Sequence, residues 1–163
     1  MPATAAAYPR SVVAYDGKGK ECFRSITLWV IMTLDTRKML SPSKSGIQVA
    51  GITRGLELSS PKGLVPSNMV NSSPRRVCYT DIDRNGHMNN TRYMEWVDDL
   101  FPSAFHREHR LKELLVCYLA ESREGQTLDL RYDVRENACV QVDAYRQDQG
   151  EDHRVFSARM QFE

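Results

Sequence analysis

The second half of this sequence predicts an α+β fold in which one antiparallel sheet wraps around a single helix. A helical stripe is the first sign: Tyr93, Trp96, Val97, Leu100 and Phe101 recur at i, i+3, i+4, i+7 and i+8. Four strand-like segments then follow in close succession, joined by turn-forming residues. Alternation within three of those strands leaves one apolar face to receive the helix.

Composition sets the outer limits. At 163 residues, with 41% hydrophobic and 26% charged content, the chain can build one good core, or one domain plus an appendage. A net charge of +1 gives no global reason to expect nucleic acid or an anionic membrane as partner. The longest apolar run, Leu28 to Met32, is far short of a membrane span. Met1 to Ala7 lacks the charged start and apolar centre of a signal peptide, so a cytoplasmic location is expected. Cys22, Cys78, Cys117 and Cys139 are widely spaced beside strand-like residues. They read as reduced, half-buried thiols rather than as a disulfide frame or zinc site.

Taken in order, Ser11 to Tyr15 reads as a strand, Asp16-Gly17-Lys18-Gly19 as a turn, and Phe23 to Leu34 as a full central strand. This hairpin cannot bury its own apolar face, so residues 1–42 are expected to pack on something else. Residues 43–74, rich in Ser, Pro, Gly and Asn, read as a linker with room for one helical turn. Arg75 to Tyr79 is strand-like and opens the unit 75–163. Pro102 is expected to close the helix, and His106 to Lys112 to form a charged connection. His106 and His109 have metal-ligand spacing but no third ligand nearby, so a solvated loop is the expectation. Glu113 to Glu121 is apolar enough for a central strand. Leu128, Leu130, Tyr132 and Val134 alternate next, then Val140, Val142 and Ala144, then Phe156, Ala158, Met160 and Phe162. The connections are Arg123-Glu124-Gly125, Arg135-Glu136-Asn137 and Gln147 to Asp152.

Asp81 to Trp96 is the segment densest in groups that move protons or hold a polarised carbonyl. Asp83, Asn85 and His87 occupy alternate positions, so an extended segment would project all three to one side. A helix starting just beyond brings free N–H groups and a positive dipole end. Glu121, at the end of an apolar strand, is costly to bury unless paired or functional. Each has an ordinary reading too. His87 alone could be a buried hydrogen-bonding histidine, and Glu121 alone a strand-end carboxylate meeting solvent. Asn89, Asn90 and Thr91 suit helix N-caps, Asp81 suits a turn, and Tyr93 and Trp96 suit the helix core.

Tyr79-Thr80-Asp81-Ile82-Asp83-Arg84-Asn85-Gly86-His87-Met88-Asn89-Asn90-Thr91-Arg92-Tyr93-Met94-Glu95-Trp96 resembles the signature D-x-D-x-N-x-H-x-N-N-x-x-Y-x-x-W of fatty acyl-ACP thioesterases. That signature lies in the second of two tandem hotdog domains. Leu119 to Leu128 is similar to the family's next strand, with its acidic residue and glycine turn. The first hairpin and Leu34-Asp35-Thr36-Arg37-Lys38 look like the closing strands of the first hotdog domain. The resemblance therefore implies a hotdog fold for 75–163, with 1–42 as the C-terminal part of a first hotdog and most of that domain absent. Where some family members carry a cysteine after the acidic residue, this chain has Ser122, so a thiol nucleophile is not expected.

What the resemblance implies for function is hydrolysis of fatty acyl-ACP to free fatty acid and ACP, in fatty acid biosynthesis. The catalytic set is then Asp83, Asn85, His87 and Glu121. Glu121 with His87 deprotonates a water, Asn85 binds that water or the carbonyl, and Asp83 orients the loop; the Asp83 and Glu121 roles could be exchanged. No metal or organic cofactor is implied, because the thioester is already activated. The expected partner is acyl carrier protein, with Arg75, Arg76, Arg84 and Arg92 as docking charges; neither nucleic acid nor membrane is expected. A truncated first domain makes a homodimer the expectation. The alternatives are a single-hotdog acyl-CoA thioesterase and a non-catalytic acyl- or carrier-binding remnant.

Overall fold

The computed structural model describes residues 7–47, 61–135 and 138–163. Two compact units divide the chain, residues 1–62 and 63–163. In the first, β1 (Tyr8–Tyr15) pairs antiparallel with β2 (Glu21–Trp29). The Asp16 turn between them is held by Oδ1, which accepts from the amides of Lys18 and Lys20. The expected long strand to Leu34 is broken: after Trp29, β3 (Ile31–Met32) starts a second small ladder with β4 (Met39–Leu40). Thr33 and Lys38 close that turn, Thr33 N–H donating to the Lys38 carbonyl at 3.0 Å. A helical turn, α1 (Pro42–Ser45), comes next and ends on Gly46 at φ 66°. The apolar clusters expected between Ile47 and Leu58 lie almost wholly outside the described residues.

The second unit has the expected hotdog arrangement, a five-stranded antiparallel sheet with one core helix. Its strands are β5 (Asn71–Arg76), β6 (Leu111–Tyr118), β7 (Thr127–Arg135), β8 (Cys139–Asp148) and β9 (Glu151–Phe162), in the order β5-β7-β8-β9-β6. β5 begins at Asn71, within the segment expected as linker, and Pro74 is accommodated because this is an edge strand. Helix α2 (Asn90–Asp98) buries Tyr93, Trp96 and Val97, and Leu100 and Phe101 pack on the same core beyond its end. From the sheet, Leu128, Leu130, Val140, Val142, Phe156 and Met160 meet them. Each belongs to one of the alternating sets read from sequence.

Three local expectations fail. β6 is an edge strand, not a central one: it pairs only with β9, and Leu111 and Leu114 stay exposed. A shift in register between Leu111 and Glu113, together with charged Lys112 and Glu113, blunts that edge. Pro102 does not end helix α2; it caps a further helix, α3 (Ser103–Glu108), where a charged connection was expected. There His109 stacks on Phe105 with ring centroids 4.2 Å apart, and His106 Nε2 bonds the Asp98 carbonyl at 3.0 Å. Both histidines serve helix packing. Of the thiols, Cys22 and Cys78 are exposed and Cys117 and Cys139 half-buried, all unpaired with one another.

Alternation also fails on the outer face of β8 and β9, where Gln141, Asp143, Val155 and Ser157 are buried. The chain after Gly63 crosses this face. Arg154 Nη2 donates to the Leu64 carbonyl at 2.8 Å and Gln141 Nε2 to the Val65 carbonyl at 3.0 Å. Asp143, fully buried, accepts from Ser157 Oγ and lies 3.6 Å from Arg154 Nη1. No helix among the described residues is long and apolar enough to cross a membrane.

Candidate active site

The polar motif is a hairpin loop rather than an extended segment. Ile82 and Met88 bridge antiparallel, Asp83 N–H donates to the His87 carbonyl at 2.8 Å, and Gly86 N–H donates to the Asp83 carbonyl at 3.0 Å. Arg84, Asn85 and Gly86 thus form a three-residue connection, and Gly86 takes the positive φ of 79° that such a loop needs at its last position. The loop re-sorts the three residues expected on one side. Asp83 and His87 lie opposite each other, so their side chains leave the same side of the short ladder. Asn85 sits at the exposed apex. Its amide donates to Asp83 Oδ1 at 2.8 Å, and its Nδ2 lies 3.4 Å from Oδ2. The strong Asp83–Asn85 tie follows from the usual ability of an aspartate to bond its own backbone two residues on.

After the loop, Met88 is buried in the core and Asn89 caps helix α2, accepting from Thr91 N–H at 3.0 Å. Arg92 N–H goes to the Asn89 carbonyl at 2.9 Å, so the cap consumes two of the amides expected to be free for a substrate carbonyl. Asp81 takes the turn role: its carboxylate accepts Cys78 N–H at 2.8 Å and its carbonyl accepts Asn89 N–H at 2.8 Å.

Glu121 reaches the loop from the far end of the sheet. β6 ends at Tyr118, and the amides of Leu119 and Ala120 both turn to the Val155 carbonyl. Glu121 is therefore past the strand, in the irregular stretch before the Gly125 turn. Its Oε2 lies 2.9 Å from His87 Nε2; the His87 side chain is 13% exposed and the Glu121 side chain 34%. A carboxylate on one imidazole nitrogen orients the ring and stabilises its protonated form, which suits a proton-transferring pair. Among the four expected residues, the structure joins His87 with Glu121 and Asp83 with Asn85 by side-chain contacts. Backbone pairing of Asp83 with His87 links the two pairs.

Sequence reasoning missed the support around Glu121. Arg146 Nη1 donates to the Glu121 carbonyl at 2.8 Å. Ser122 is buried, its carbonyl accepting Met88 N–H at 2.8 Å and its hydroxyl accepting from Tyr93 at 2.8 Å. Burial pushes the Tyr93 phenol above its ordinary range. One signal was available: a tyrosine in a core stripe needs a partner for its O–H. Among the described residues, no group of His, Cys, Asp and Glu is placed to hold a metal ion.

Comparison with known proteins bears on the fold and the family. An acyl-ACP thioesterase from Bacteroides thetaiotaomicron superposes with a TM-score of 0.77 at 27% identity, over 99% of this chain and 65% of that one. The 12:0-ACP thioesterase from Umbellularia californica gives a TM-score of 0.77 at 18% identity, over 99% and 64%; at that identity the likeness shows the fold. This chain thus spans about two thirds of the length of those structures, just short of that fraction. No curated protein sequence matches it. The family described as acyl-ACP thioesterase C-terminal domain matches residues 66–163, more than half of the chain and all of the candidate site. The hairpin loop, the capped helix and the returning glutamate are therefore those of a member of the acyl-ACP thioesterase family, to which this chain belongs.

Proposed function

We propose that this protein hydrolyses fatty acyl thioesters carried on acyl carrier protein, with Asp83, Asn85, His87 and Glu121 as its catalytic group. The observation that carries the reading is the 2.9 Å contact between His87 Nε2 and Glu121 Oε2, beside a capped helix start. Family membership supports the thioester chemistry. Glu121 with His87 takes a proton from water, whose oxygen attacks the thioester carbonyl carbon. The carbonyl electron pair moves to oxygen and returns as the C–S bond breaks, and the departing thiolate takes a proton, leaving a fatty acid and a free thiol.

Asn85, exposed at the loop apex, is positioned to bind the water or the carbonyl. Asp83 fixes that apex through its two contacts to Asn85. Arg84 at the exposed apex suits docking of an acidic carrier, whereas Arg75 and Arg92 are engaged with Asp99 and Glu95. The same reading takes the working form as a homodimer, and a monomer mass by light scattering would count against it.

Free-thiol release with acyl-ACP and acyl-CoA side by side tests the assignment. Faster turnover of acyl-ACP is expected. Preference for acyl-CoA would move the protein to the simpler coenzyme A ester hydrolases, and absence of turnover on both would leave a binding protein in place of an enzyme.

A further inference from the structure

Glu121 is the one member of the proposed catalytic group that comes from outside the hairpin loop, so something must fix where its carboxylate points. The chain at Glu121 and Ser122 is held at three places. Arg146, itself anchored on Asp148 through Nε at 2.8 Å, donates to the Glu121 carbonyl. Met88 N–H, next to His87, donates to the Ser122 carbonyl at 2.8 Å. Tyr93 donates its phenol proton to Ser122 Oγ at 2.8 Å. Tyr93 is in turn clamped by Phe156 of β9, with ring centroids 4.8 Å apart and planes 15° from parallel.

We propose that Tyr93 and Ser122 are positioning residues, which set the Glu121 carboxylate against His87 by fixing the chain at Ser122. This rests on the function proposed above. Ser122 is not the nucleophile on this geometry: it is 1% exposed, and the hydrogen bond its oxygen accepts comes from a phenol, not from a base that could activate it. Its backbone ties the Glu121 turn to Met88 of the hairpin, and its side chain ties the same turn to helix α2. Loss of the Tyr93 hydroxyl or of Ser122 Oγ frees that turn to shift, and a shift of about 1 Å at a catalytic group can cost on the order of a hundredfold in rate.

The chain has four histidines, so long-range proton–nitrogen spectra of the whole protein can follow His87 directly while the other three report on folding. The spectra needed are those of the parent, Tyr93→Phe, Ser122→Ala, Ser122→Cys and Glu121→Gln. In Tyr93→Phe and Ser122→Ala the His87 ring-nitrogen signals should move toward their positions in Glu121→Gln, with His106, His109 and His153 unmoved. Ser122→Cys, which keeps a weak acceptor, should fall between Ser122→Ala and the parent. In turnover, Tyr93→Phe should lower kcat about tenfold or more with KM unchanged. If His87 keeps its parent signals in both Tyr93→Phe and Ser122→Ala while Glu121→Gln moves them, the pair is packing only and the proposal fails. If Glu121→Gln itself leaves His87 unmoved, the catalytic pairing beneath the proposal fails instead.

Discussion

His87 Nε2 and Glu121 Oε2 stand 2.9 Å apart although they belong to different connecting segments of the second unit. The loop 82–88 delivers the imidazole, and the stretch between β6 and β7 delivers the carboxylate. Ser122 O to Met88 N–H stitches the two segments together one residue beyond each catalytic group. The site is thus defined by where two chain segments leave regular structure.

Removing either partner of that contact should remove the proton-transfer step. His87→Ala and Glu121→Gln are each expected to lower kcat for thioester hydrolysis by about 10²- to 10⁴-fold, the usual weight of general acid–base catalysis. Steady-state thiol release measures it, with circular dichroism to confirm that both variants remain folded.

Gly86 is the residue whose backbone the loop depends on. Its φ of 79° is open to glycine, but an L side chain there costs about 1–2 kcal/mol. Space is not the obstacle, since a Cβ at Gly86 would meet nothing within 4 Å. Gly86→Ala should therefore lower stability by about that amount in urea unfolding, with a larger loss in kcat than in substrate binding, because Asp83 and His87 share the loop.

The Tyr93–Ser122 hydrogen bond makes a stability prediction with a sign in pH. Burial raises the Tyr93 and Tyr118 phenols, so the folded state holds their protons more tightly than the unfolded state. Their contribution is fully present below the unfolded value of about 10 and is lost as pH rises through the higher folded values. Tyr93→Phe should cost about 1–3 kcal/mol at neutral pH, because it leaves Ser122 Oγ buried without its donor, and should make the alkaline decline shallower. Urea midpoints at neutral and alkaline pH separate the two effects.

Asp143 is the polar anchor of the outer sheet face. Asp143→Ala leaves Ser157 Oγ and the Arg154 guanidinium without their carboxylate. The cost should be about 3 kcal/mol, at the low end for a broken buried pair because Arg154 is 19% exposed. Since Arg154 also holds the Leu64 carbonyl, amide exchange over residues 63–67 should speed up more than exchange in β7. Uniform acceleration would argue against a local latch.

The fold was legible where one face of an element is buried and the other is not. The α2 stripe and the alternating runs of β7, β8 and β9 show their period directly, because helix and sheet meet along those residues. It was illegible where burial is two-sided or absent. β6 reads as central because it is apolar, yet its exposed leucines lie on a sheet edge. Asp143 and Ser157 read as solvent-facing because nothing in their own strands announces that the chain near Leu64 covers them. At the site, the family resemblance singled out His87 and Glu121, which the structure brings to 2.9 Å, but alternation suggested an extended strand where Gly86 makes a turn. A glycine two residues after an aspartate–arginine pair was the available sign. The hold of Tyr93 on Ser122 depends on a contact between helix and loop that no local pattern encodes.

A double-mutant cycle on His87 and Glu121, read as kcat for acyl-ACP hydrolysis, tests the central claim most directly. If the two act as one proton-transferring unit, the double variant His87→Ala/Glu121→Gln should be no slower than the worse single variant, the strong non-additivity of a shared step. Losses that simply multiply would contradict the account, and so would single variants that hydrolyse at the parent's rate.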